Sequence, residues 1–224
     1  MDIQAYLNRL LGGLTETFGD RLLYVGLQGS FMRGEAAETS DVDIMVIFDE
    51  INTATLDAYR DLLISAGDYD RSCGFVCGKG DMAAWNGLEL CHLLHTTRDL
   101  YGQLSDFVPA YTRADVMQFV RMSIGNLYHE MCHRYIHAPR EVNEAHLAAT
   151  SKSVFFILQN VHFLRTGHFA CTKAELLDAL DGDDRTVLSL SLELARGERV
   201  DFHLALDRML RWCQRSLAEW DGAE

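Results

Sequence analysis

Gly29-Ser30-Phe31-Met32-Arg33-Gly34-Glu35-Ala36-Ala37-Glu38-Thr39-Ser40-Asp41-Val42-Asp43 is the stretch whose reading decides the fold. On its N-terminal side Leu22-Leu23-Tyr24-Val25-Gly26-Leu27 reads as a buried strand, and on its C-terminal side Val42 to Phe48 is apolar except for Asp43. A strand therefore delivers the chain to a Gly-Ser turn. Without a Cβ, Gly29 lets a ligand approach the backbone. Ser30 and the residues after it open a helix, whose free N–H groups form an anion site. The chain then returns as a strand. Residues two apart on a strand share a face, so Asp41 and Asp43 project together.

Two like charges that close destabilise one another unless cations lie between them. A carboxylate pair beside a phosphate cradle is the arrangement that two-metal phosphoryl and nucleotidyl transfer requires. The blander alternative is a strand entrance after an ordinary turn. Asp41 alone would fit it. Asp43 does not, because a carboxylate leading into Ile44-Met45-Val46-Ile47 faces burial, which is costly without a partner.

Gly-Ser, two residues, Arg-Gly, then Ser-Asp-Val-Asp before an apolar strand resembles the signature of the DNA polymerase beta-type nucleotidyltransferase superfamily. The resemblance is to the branch of minimal and aminoglycoside nucleotidyltransferases, and it covers residues 22–49. It implies a mixed sheet flanked by helices, with Mg²⁺ held by Asp41 and Asp43 in a two-metal site. ATP or another nucleoside triphosphate would lie near Gly29, Ser30 and Arg33. It also implies a third carboxylate from a later strand. Glu89, which interrupts the run Gly87-Leu88-Glu89-Leu90-Cys91, is the candidate for metal ligand or general base, with Asp81 and Asp99 competing. An ordinary exposed strand residue would look the same at position 89.

Outward from this segment, Ile3 to Phe18 has helical periodicity, Thr55 to Ala66 looks helical, and Gly74 to Cys77 looks like a short strand. Leu88 to Leu94 fits strand or helix. From Pro109 the strand signals fade. Helical periods run over Ala114–His137, Glu144–Thr166, Lys173–Leu180, Arg185–Ala195 and Phe202–Trp220, and Thr172-Lys173-Ala174-Glu175 is a capping box. The expected architecture is an α/β (α+β) domain over 1–107, then an all-α bundle over 108–224 that binds substrate or nucleotide. Lys152, on the helix expected at 144–166, is the candidate phosphate contact in the bundle. A solvent-exposed Lys is an equally good account of it.

Composition narrows the partners. Among 224 residues, 48% are hydrophobic, as in a chain that buries a core. No apolar run approaches the roughly 20 residues of a membrane span, and no basic-then-apolar leader is visible, so a cytoplasmic location is expected. The net charge of −13 argues against nucleic acid as partner. Six scattered cysteines read as reduced thiols. Among the remaining motifs, His129-Glu130-Met131-Cys132-His133, with His137 one turn further, matches H-E-x-x-H and would make a zinc hydrolase. Chance matches to so short a motif are common in a chain with nine histidines. Arg140 and His146 have a spacing found in some helical RNases, but they flank Pro139 and a loop.

The expected activity is Mg²⁺-dependent transfer of AMP from a triphosphate to an acceptor hydroxyl, with an aminoglycoside-like molecule as the sharpest version. A protein-modifying antitoxin or regulator, and a non-catalytic nucleotide-binding module, are the alternatives. A homodimer is reasonable by resemblance.

Overall fold

The structure is a computed structural model that describes residues 2–220. It divides into two compact units, 1–111 and 112–224.

In the first unit, α1 (Ile3–Phe18) is capped by Asp2, whose carboxylate accepts from the Ala5 N–H. It buries Tyr6, Leu7, Leu10, Leu14 and Phe18 along one stripe, the 3.6-residue period expected of an amphipathic helix. Each such side chain contributes about 1.5–3 kcal/mol on burial. β1 (Leu22–Leu27) follows, then the short α2 (Gly29–Arg33), β2 (Val42–Phe48) and α3 (Thr53–Ala66), capped by Asn52. Next come β3 (Ser72–Gly78), α4 (Lys79–Ala83), α5 (Gly87–His95) and β4 (Arg98–Tyr101).

The strands form a mixed sheet in the order β3-β2-β1-β4. β1 is antiparallel to β2 and to β4, while β2 and β3 run parallel. Residue parity along β2 sorts its side chains. Ile44, Val46 and Phe48 join the core with α1 and Leu62 of α3, whereas Met45 and Ile47 pack with Tyr24, Cys77, Met82 and Leu104 on the other face. Asp43 has the parity of Met45, and so belongs to that second face, while Asp41 lies just before the strand.

The structure resolves one open alternative and adds one unforeseen strand. The ambiguous Leu88–Leu94 segment is the helix α5, started by Asn86 accepting from the Leu88 N–H. The later strand is β4 instead, a four-residue edge with too few apolar residues to announce itself.

The second unit is helical: α6 (Arg113–His137), α7 (Asn143–Thr150), α8 (Ser153–Thr166), α9 (Lys173–Ala179), α10 (Gly182–Ala195) and α11 (Phe202–Glu219). The Thr172 capping box starts α9, with the Thr172 hydroxyl accepting from the Glu175 N–H. The expected single helix over 144–166 is broken at Ser151-Lys152. The buried Ser191 hydroxyl donates to the Ser151 carbonyl at 2.8 Å, and the Ser153 hydroxyl donates to the Thr150 carbonyl at 2.9 Å. The Ser151 carbonyl also accepts from the Val154 N–H at 3.0 Å, a tighter turn than the α-helix makes.

Candidate active site

β1 ends at Leu27, and the Gln28 N–H donates to the Asp43 carbonyl at 2.8 Å, locking the two strand ends together. Gly29 follows with φ +65°. A Cβ added there would lie 1.8 Å from Asp43 Oδ2, so the Asp43 carboxylate rests directly against the Gly29 backbone. Only glycine satisfies both the positive φ and this close approach. Ser30 is the next residue on α2, and Gly34 ends that helix.

The loop from α2 to Asp41 is held by its own chain and by one distant residue. The Glu35 N–H donates to the Ser30 carbonyl at 2.9 Å, and the Ala37 N–H to the Ser40 hydroxyl at 2.8 Å. Arg71 Nε reaches the Ser40 carbonyl at 3.0 Å, which fixes the backbone immediately before Asp41. Asp41 is exposed and Asp43 half-buried.

Arg33 is paired with Glu35 at 3.0 Å, and its side chain is only 10% exposed. In this structure its guanidinium anchors the start of the loop. His92 of α5 lies close enough to feel that charge. Burial first, then Arg33 and His95, bring its pKa down to about 4.

Cys73 was not foreseen as part of the site. β3 runs parallel to β2 with Cys73 in register with Asp43, and the Cys73 thiol is hydrogen-bonded to the Asp43 carboxylate. Partial burial, that bond and the nearby Asp43 charge push the thiol up. The only clue in the sequence was a thiol near the start of a short strand. The residue that strand would face depends on sheet order.

The three candidates for the third carboxylate fall on different elements. Glu89 stands on the first turn of α5, not on a strand, and accepts from Trp85 Nε1 at 2.7 Å. Asp81 caps α4, accepting from the Gly78 N–H at 2.9 Å. Asp99 is on β4, where the Tyr24 hydroxyl donates to it at 2.6 Å. Among the described residues no group of three His, Cys, Asp or Glu side chains is placed to hold a metal ion.

That result also bears on His129, His133 and His137. They line one face of α6, with ring centroids 5.9 and 4.7 Å apart, but make no such group. Glu130, the would-be base, is paired with Arg134 at 2.8 Å. Lys152 is exposed at the break between α7 and α8, outside both helices.

The Asp41–Asp43 pair nonetheless suits a divalent cation. Its donors are hard carboxylate oxygens, of the kind Mg²⁺ takes alongside substrate phosphates. The absent Cβ at Gly29 leaves the carboxylate and the head of α2 in direct contact.

Comparisons with known proteins bear on the family and the fold. Residues 7–68 match the nucleotidyltransferase domain family. Protein adenylyltransferase MntA of Thermococcus cleftensis is 48% identical over 50 residues, which is 22% of this chain and 48% of that protein. The match thus spans about half the length of that curated relative. Spectinomycin adenyltransferase AAD(9) from Enterococcus faecialis, solved with ATP and spectinomycin, superposes with a TM-score of 0.59 at 14% identity. The superposition covers 96% of this chain and 99% of that one, so the fold likeness extends through the helical unit. Family model and fold point the same way: residues 7–68 are similar to the nucleotidyltransferase domain family, and the whole chain shares the fold of an adenyltransferase.

Proposed function

We propose that this chain transfers AMP from ATP to a hydroxyl of an acceptor molecule. The observation that carries the reading is the Asp43 carboxylate lying against Gly29 at the head of α2, with Asp41 immediately before β2. In this reading the backbone at Gly29 and Ser30 holds the triphosphate, and Asp41 and Asp43 hold Mg²⁺. The metal would neutralise phosphate charge and stabilise the leaving pyrophosphate. The acceptor oxygen forms a bond to the α-phosphorus while the α–β bridging bond breaks in line, and the hydroxyl proton leaves to a base or to water. Arg33 acts indirectly, by holding Glu35 and the loop that leads to Asp41.

A small hydroxylated molecule is the preferred acceptor, because the likeness to spectinomycin adenyltransferase includes the helical unit. The acidic balance of −13 would favour a cationic one. A protein hydroxyl is the second reading, favoured by the local identity to protein adenylyltransferase MntA.

The test is thermal stabilisation by each nucleoside triphosphate, with and without Mg²⁺, in wild type and Asp43→Ala. Binding to the native state raises Tm by mass action. A Mg²⁺-dependent shift with ATP that disappears in Asp43→Ala is expected. No shift with any triphosphate would overturn the reading. Labelled AMP appearing on a small hydroxylated compound or on a polypeptide then separates the two acceptors.

A further inference from the structure

Two buried polar atoms in the helical unit, Asn143 Oδ1 and His146 Nδ1, have no hydrogen-bond partner among the described residues. They belong to residues one turn apart on α7, and both residues line the same inner cavity of about 10 Å³, floored by Met131, Leu147 and Leu206. Asn143 is only 7% exposed. The cavity has room for one water-sized group.

It does not stand alone. Tyr135, Asn143 and Phe202 line both this cavity and an adjoining hollow of about 120 Å³. The Tyr135 and Phe202 rings are stacked, 6.0 Å between centroids and 20° between planes. His203 stands edge-on to both. Arg140 and Glu144 also line the hollow.

The chemistry of the orphaned atoms restricts what fits. An amide oxygen only accepts, so a ligand must donate to Asn143 Oδ1. Carboxylates and phosphates are excluded there, since two acceptors would face each other. The imidazole Nδ1 of His146 accepts or donates according to tautomer. The flat aromatic wall suits a ring. An Asn amide meets the adjoining amino and ring-nitrogen edge of adenine with two hydrogen bonds.

The geometry points to a ligand site within the helical unit for an amino-substituted nitrogen heteroaromatic ring of the adenine type. The amino group enters the inner cavity at Asn143, and the ring lies in the outer hollow against Tyr135. Every residue of this site belongs to the helical unit.

Calorimetric titration of the full chain carrying Asp43→Ala, in EDTA, tests it with adenine, adenosine and unsubstituted purine. Omitting Mg²⁺ and Asp43 removes the metal-dependent binding proposed for the N-terminal site, and the Asn143 substitution assigns the binding that remains. Saturable one-to-one binding of adenosine is expected, at least tenfold weaker for purine, and lost on adding Asn143→Leu. Should Asn143→Leu not fold, Tyr135→Ala removes the half-exposed wall and is expected to weaken adenosine at least tenfold. No saturable binding by the folded protein would overturn the proposal and leave the cavity to a buried water. Equal affinity for purine, or binding that survives the substitutions, would overturn it as well.

Discussion

Gly29 shows how much one missing methyl group can decide. With φ at +65° and Asp43 Oδ2 at 1.8 Å from a Cβ placed there, Gly29→Ala must push the carboxylate away and strain the backbone. The backbone cost alone is about 1–2 kcal/mol. Gly29→Ala is expected to lower Tm in calorimetry and to abolish the Mg²⁺-dependent shift with ATP. Glu89 offers the contrast. With its carboxylate on α5 and bonded to Trp85, Glu89→Gln is expected to change turnover by less than about tenfold, about 1.4 kcal/mol of barrier. A much larger loss in a steady-state assay would return it to the chemistry. His92 gives a pH signature. Its folded pKa of about 4 lies below the unfolded value of about 6.5. As pH falls from about 6.5 to 4, the unfolded chain takes up a proton that the native chain refuses, so stability declines through that window. The loss sums to about 3 kcal/mol. Urea titrations across this range should show a shallower decline for His92→Leu.

At the scale of elements, the parallel pairing of β2 with β3 is what completes the site. Gly74, with φ +145°, lies so close to β2 that an added Cβ would meet the Ile44 carbonyl oxygen at 1.9 Å. It is in register with Ile44, next to the Cys73–Asp43 pair. Gly74→Ala should therefore separate the strands, costing about 2 kcal/mol or more as a steric clash with the β2 backbone. It should also weaken nucleotide binding although Gly74 touches no ligand atom. Stability and ATP affinity measured on the same preparation would check this. The elements also explain which expectations misplaced residues. The polar position at 89 fits a strand by alternation, yet Asn86 caps a helix there and α5 buries Leu90 and Cys91. The helix expected across Lys152 is interrupted where Ser191, forty residues away, binds the Ser151 carbonyl. Periodicity is local and does not register such a bond.

Over the whole molecule, each unit has its own buried core. The first is centred on the two faces of the sheet. The second includes Val120, Ile124, Leu158, Leu188, Met209 and Trp212. A chain divided between Tyr111 and Thr112 is expected to give two fragments that each melt cooperatively, as units with separate cores do. A broad, non-cooperative trace for either fragment in circular dichroism would contradict this. The change from strands to helices was legible in the sequence because the hydrophobic period itself changes, and the boundary expected at 107 compares with the division of the structure at 111. The H-E-x-x-H pattern was legible too, but the structure spends Glu130 on Arg134.

The sequence by itself determined the strand–turn–strand around Gly29-Ser30 and Asp41-Asp43, because turn chemistry and the two-residue period of a strand act over a few neighbours. It also determined the helical character of the second half. Only the tertiary structure decided that Cys73 lies beside Asp43, that Arg71 holds Ser40, that Glu89 belongs to a helix and that Asn143 and His146 line one cavity. The Cys73 and Arg71 contacts join residues some thirty positions apart through sheet order and register. Such pairings are selected by the packing of the whole core, and no local pattern encodes them.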